Sequence, residues 1–154
     1  MLKSGLHKIL KYFRLPWSDR ILLLRTFILL GFVRLVLLII PFRYLSALLG
    51  KDFEKSGNTA TTEIGFMRRL NWAIELMSRY TPWESKCLVQ AITGKLFLRQ
   101  RRLENTLYLG VAKTQDQSLI AHAWLRSGDD LVTGVSESIE FTVVAKFADF
   151  YREI

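Results

Sequence analysis

Hydrophobic and polar positions change their rhythm three times along the chain. In residues 1–15, Leu2, Leu6, Ile9, Leu10 and Phe13 recur at helical spacing, with Lys3, Lys8, Lys11 and Arg14 between them. That pattern predicts a short basic amphipathic helix, ended by Pro16. Residues 21–42 (ILLLRTFILLGFVRLVLLIIPF) are apolar almost throughout. Ser18 or Asp19 can cap a helix there, Pro41 can break it, and Gly50 can supply a closing left-handed residue. Residues 51–62 (KDFEKSGNTATT) are polar and aperiodic, which marks a linker and a boundary.

Beyond the linker the helical period returns. Thr62 can cap a helix through about Arg79, with Ile64, Met67, Leu70, Trp72, Ala73, Ile74 and Met77 as its apolar positions. Pro82 stops it, and Glu84 or Ser85 can start another that runs to about Arg102. The period then shortens to that of strands. Residues 107–112 (LYLGVA), 119–126 (LIAHAWLR) and 131–135 (LVTGV) read as strands, the last two joined by a turn at Ser127-Gly128-Asp129-Asp130. Residues 141–150 (FTVVAKFADF) read as a final strand running into a short helix. The pattern is α+β: residues 1–50 form an apolar helical segment, 51–62 a linker and 63–154 one domain.

Composition sharpens this picture. Half of the residues are hydrophobic and 23% are charged, which excludes a disordered chain. The net charge of +8 is uneven: residues 1–50 hold eight Lys/Arg against one acid, whereas residues 101–154 hold six against eight. An anionic surface, nucleic acid or an acidic partner would suit the basic third, as would a solvated face. No zinc finger, phosphate loop or ordered aromatic–basic strand pair points to nucleic acid. One cysteine and two histidines, His7 and His122, exclude an internal disulfide, a multi-cysteine zinc site and a three-histidine metal site. No cofactor motif is present.

Arg25 and Arg34 interrupt the apolar run, and an arginine near mid-bilayer costs at least about 2.5–3.5 kcal/mol. The run starts late for a signal peptide and lacks a good small-x-small site after it. Residues 18–50 are therefore expected to pack as one or two helices on a core or a partner. The expected location is the cytoplasm, with weak peripheral membrane contact and, behind it, a true span as the alternatives.

The chemistry concentrates in Tyr80-Thr81-Pro82-Trp83-Glu84-Ser85-Lys86-Cys87-Leu88-Val89-Gln90-Ala91. Cys87 falls in the first turn of a helix, where unpaired N–H groups favour an anion and can bind an oxyanion. His122 falls on a strand, on the same face as Trp124. A sheet imidazole facing the start of a packed helix can take the thiol's proton and later protonate a leaving amine. The bland alternatives are a buried structural cysteine and a hydrogen-bonded core histidine.

Pro82-Trp83, Cys87-Leu88, Gln90-Ala91, a basic helix end, Leu109-Gly110-Val111 and Ala121-His122-Ala123-Trp124 together resemble the transglutaminase-like cysteine peptidases that mature lasso peptides. The likeness covers roughly residues 60–148, and Phe141-Thr142-Val143-Val144-Ala145 resembles the family's closing strand. The apolar N-terminal segment with Pro41-Phe42-Arg43 is similar to the same family's helical leader segment. The resemblance implies a papain- or transglutaminase-like half-fold, with a catalytic helix packed on an antiparallel sheet. It implies Cys87 as nucleophile and His122 as base and acid, and no cofactor. It implies the stand-alone leader peptidase of a split system. The partners would be the precursor's leader peptide, a separate leader-recognition protein and an ATP-using lasso cyclase that closes the ring.

The match departs at the third member. Relatives carry an acid on the next strand, whereas the positions opposite His122 are about Gly134 and Val135. Glu137, Thr133 or a main-chain carbonyl could substitute, and the residue stays unassigned. Trp83 and Trp124 read either as walls of a substrate groove or as packing. Two other functions stay open: acyl transfer to an amine on the same fold, and a non-catalytic binding module. The basic, apolar N-terminal third is a candidate dock for the recognition protein or the leader.

Overall fold

The computed structural model describes residues 14–52, 63–134 and 141–151. Helix α1 spans Trp17–Ile39, the short α2 Phe42–Ser46, α3 Ile64–Ser78 and α4 Cys87–Gln100. Strands β1 (Lys51–Asp52), β2 (Asn105–Lys113), β3 (Leu119–Ser127), β4 (Asp130–Thr133) and β5 (Thr142–Asp149) form one sheet in the order β1-β5-β2-β3-β4. Every pairing is antiparallel. The expected α+β arrangement, helices against an antiparallel sheet behind an apolar N-terminal helix, is what the chain adopts.

The apolar run of α1 divides into two faces. The neighbours Leu22 and Leu23, then Thr26, Leu30 and Val33 at steps of three or four, are buried, which puts them on one side of the helix. That side packs on α3 and α4. The arginines that make this helix a poor membrane span are tied to the rest of the protein. Arg25 bonds Gln100 at 2.5 Å, and Arg34 meets Glu84 at 3.4 Å. Asp19 pairs with Arg69 rather than capping α1, whose N-cap is Pro16 with no side-chain cap. Pro41 does break the run: α1 ends at Ile39 and α2 begins at Phe42.

Helix α4 is the centre of the molecule. Val89, Ala91, Ile92, Thr93, Gly94, Lys95, Phe97 and Leu98 are all buried, so it is enclosed by α1, α3 and the sheet. Gly94 permits the closest approach: a Cβ there would stand 2.8 Å from Leu125 Cδ2 on β3. The C-terminal half of α4 is pinned by polar bonds. The buried Lys95 ammonium donates to Asn105 Oδ1 (2.8 Å) and to the Phe147 carbonyl (3.0 Å), and pairs with Asp149 (2.9 Å). Arg99 holds the same carboxylate in a fork, at 2.7 and 3.0 Å.

Several sequence expectations are corrected here. Residues 141–150 do not turn into a helix; β5 continues to Asp149 because it is paired on both sides, with β1 and β2. Lys51 and Asp52, expected in the linker, pair with Ala148 and Phe147 at the sheet edge. Of the apolar positions of α3, Met67, Leu70, Ala73 and Ile74 are buried, whereas Trp72 is exposed. The helix expected in residues 1–15, the Thr62 cap, most of the linker, His7 and Glu137 lie outside the described residues.

Candidate functional site

The segment between α3 and α4 is held by a single hydroxyl. Thr81 Oγ1 lies 3.1 Å from the Ser78 and Trp83 carbonyls and 2.9 Å from Ser85 Oγ. Gln90 reaches back to donate to the Ser85 carbonyl at 2.7 Å. This brace delivers the chain into α4 with Lys86 extended at the N-cap position and Cys87 as the first helical residue. The first backbone bond of the helix runs from Gln90 N–H to the Lys86 carbonyl. The N–H groups of Cys87, Leu88 and Val89 therefore have no acceptor within the helix, and no side chain caps the end. Cys87 is half-buried, unoxidised and packed at the edge of the core.

His122 sits opposite Gly110 in the β2–β3 hairpin. Its ring lies against Phe141 (centroids 5.2 Å apart) and Trp124 (6.1 Å), and Trp124 stacks on Tyr108 at 5.5 Å. Gly110 makes room for this cluster, since a Cβ there would fall 2.8 Å from the Trp124 ring and 2.9 Å from Phe141 Cβ. His122 Nε2 is 3.1 Å from the carbonyl oxygen of Gly134, the residue after β4. A carbonyl only accepts, so Nε2 carries the proton of this bond and a neutral ring keeps Nδ1 bare. Of the substitutes open for the third position, a main-chain carbonyl is the partner observed. The hydroxyl of Thr133 is buried without a partner.

The two principal candidates share one end of the fold. Lys95 and Arg99 fix the far end of α4 at Asn105 and Asp149. Strand β3 runs toward that same end, since Arg126 pairs with Thr106. Helix and strand therefore point the same way, with Gly94 over Leu125. Cys87 precedes Gly94 by seven residues, about 10 Å of helix. His122 precedes Leu125 by three, about 10 Å of strand. Both residues thus lie toward the ends of their elements away from Asn105 and Asp149.

They start from different faces, however. Leu125 points to α4, and alternation places His122 and Trp124 on the other side of β3. Among the described residues β4 pairs with Leu125, Arg126 and Ser127, and Gly134 continues past it against Ala123 and Trp124. No hydrogen bond joins Cys87 to His122 in this arrangement.

The tryptophans separate. Trp83 lies against Phe27 (5.2 Å) and Gly31 of α1, with its indole N–H buried and unbonded. Trp124 belongs to the ring cluster beside His122. Sequence reasoning did not single out Phe141, Tyr108 or Lys146, whose ammonium lies 5.7 Å from the Tyr108 ring centre. Only the pairing of β5 with β2 brings Phe141 and Lys146 there.

A family model described as the Transglutaminase-like superfamily matches residues 28–146. No curated protein and no solved structure matches the chain.

Proposed function

The chain belongs to the transglutaminase-like superfamily, and from that premise we propose that it is a cysteine peptidase that removes the leader from a ribosomally made lasso-peptide precursor. The observation that supports this reading is Cys87 at an uncapped helix start, toward the same end of the fold as a histidine whose Nε2 is held by a carbonyl. Cys87 attacks the carbonyl at the leader–core junction as a thiolate, its proton passing to His122. Charge developing on the carbonyl oxygen meets the free N–H groups of the first α4 turn. The tetrahedral intermediate collapses to a thioester, and the imidazolium gives its proton to the departing amine of the core peptide. His122 then takes a proton from water, which attacks the thioester and frees the leader carboxylate and the thiol.

In this reading a separate protein presents the leader, and a separate ATP-using cyclase closes the ring on the freed core amine. The ring cluster of Trp124, Tyr108 and Phe141 flanks the imidazole and suits an apolar part of the peptide. Acyl transfer would use the same thioester with an amine in place of water.

The test is processing of the purified precursor with its recognition protein, read by mass spectrometry. A free leader carboxylate that forms with the wild-type chain and falls at least about 1000-fold with Cys87→Ala is the expected result. An amide adduct instead of a free carboxylate means transfer. Processing that survives Cys87→Ala removes the peptidase reading.

A further inference from the structure

Among the described residues nothing packs against the outward side of α1, a second apolar face. Trp17, Ile21, Leu24, Ile28, Phe32, Leu35 and Ile39 are all exposed, Ile28 at 62% and Ile39 at 70%. Their spacings of three or four residues place them in one line, opposite the buried line of Leu23, Thr26 and Leu30. The line is about 33 Å long at 1.5 Å per residue and contains no charged or amide side chain. A helix apolar on both sides is expected only where both sides leave water. The protein core takes one side and accounts for nothing on the other.

We propose that this outer face of α1 seats the protein flat on an anionic membrane surface. The helix is long and apolar enough to cross a membrane, but its inner side is committed to α3 and α4, so it lies in the interface. Charge selects the surface. The first 50 residues carry eight Lys/Arg and one acid, and that acid, Asp19, is neutralised by Arg69. Arg14, Arg25 and Arg43 are exposed along the same segment. Such a surplus attracts anionic headgroups while the apolar line enters the acyl boundary. Aromatic rings stand near both ends of the line, Trp17 at one and Tyr44 just beyond the other, as at a membrane–water boundary.

A second copy of the chain fits less well, because a two-fold contact through this face would oppose two strongly basic segments. A protein partner is also disfavoured, since protein interfaces interleave hydrogen-bonding groups that this line lacks.

The experiment is co-sedimentation of the full chain with unilamellar vesicles of phosphatidylcholine alone or with one-third phosphatidylglycerol. Binding at least tenfold stronger to the anionic vesicles, released by alkaline carbonate, is expected. Leu24→Ser with Ile28→Ser and Leu35→Ser should cut binding at least tenfold at an unchanged unfolding midpoint. The single Ile28→Asp variant gives the same readout with one exposed change. No association with anionic vesicles, equal binding to neutral ones, or binding unmoved by Ile28→Asp overturns the proposal. So does resistance to carbonate, which means a span, or a vesicle-free dimer that Ile28→Asp dissociates.

Discussion

His122 Nε2 lies 3.1 Å from the carbonyl oxygen of Gly134. A neutral main-chain acceptor thus orients the ring. It fixes the tautomer without adding negative charge. Gly134 itself is constrained. Its φ is +88°, and a Cβ there would fall 2.7 Å from the Ala123 carbonyl oxygen.

Gly134→Ala is therefore expected to strain the backbone by about 1–2 kcal/mol and to shift the carbonyl that holds the ring. Precursor processing should fall by roughly 10- to 100-fold, a part of the about 10²–10⁴ that a positioned base supplies. The loss should appear in kcat with KM little changed. A fall in thermal stability with kcat unaltered would make Gly134 a purely structural residue.

The two sides of α1 predict opposite outcomes for similar changes. Leu30 is fully buried, so Leu30→Ala should cost about 2–5 kcal/mol of stability in denaturant unfolding. Ile28, two positions earlier and exposed, should change stability by less than about 0.5 kcal/mol when replaced by Ala. Equal effects at the two sites would contradict the placement of α1 in the core.

Stability should also depend on pH through Lys95. Burial pushes its pKa from 10.5 down to about 8, against the hydrogen bond and charge of Asp149. Between about 8 and 10.5 the unfolded chain binds more protons at this site than the folded one, so Lys95 makes stability rise with pH across that window. The rise is at most a few kcal/mol. Lys95→Met should remove it, which unfolding midpoints at pH 7.5 and 9.5 would check. A wild-type curve that is flat or falling where the Lys95→Met curve is identical would contradict it. Asp149 acts at the other end of the scale. Burial raises its pKa, but the Arg99 hydrogen bond and the Lys95 charge outweigh this and hold the carboxyl below its usual value. Its contribution is therefore lost on acidification.

The elements legible in the sequence are those set by local pattern. The expected strands 107–112 and 119–126 are observed as Asn105–Lys113 and Leu119–Ser127, because alternation and the Ser127-Gly128 turn act over short range. Cys87 lies in a first helical turn as expected, but the helix starts at Cys87 itself, after Lys86, rather than at Glu84 or Ser85. What was not legible depends on distant pairing. Asp149 stays in a strand because β1, β2, Lys95 and Arg99 hold it there, and none of these is a neighbour in sequence. Asp19 looked like a cap, yet it goes to Arg69, 50 residues away. The sequence places Gly134 near His122 and leaves a main-chain carbonyl open as the third member, but residue type cannot select that carbonyl over Thr133 or Glu137, since every residue carries one. The two-sided character of α1 was hidden for a related reason: a uniformly apolar helix has no pattern to mark its inner face.

The central claim is that Cys87 and His122 act as a pair although no hydrogen bond joins them at rest. The rate at which iodoacetamide alkylates the chain at pH 7 tests it most directly, because Cys87 is the sole cysteine and only the thiolate reacts. With the imidazole able to take the thiol's proton, His122→Ala should slow alkylation at least tenfold in a chain that remains folded. Identical rates and identical pH profiles for the two proteins would contradict the pairing.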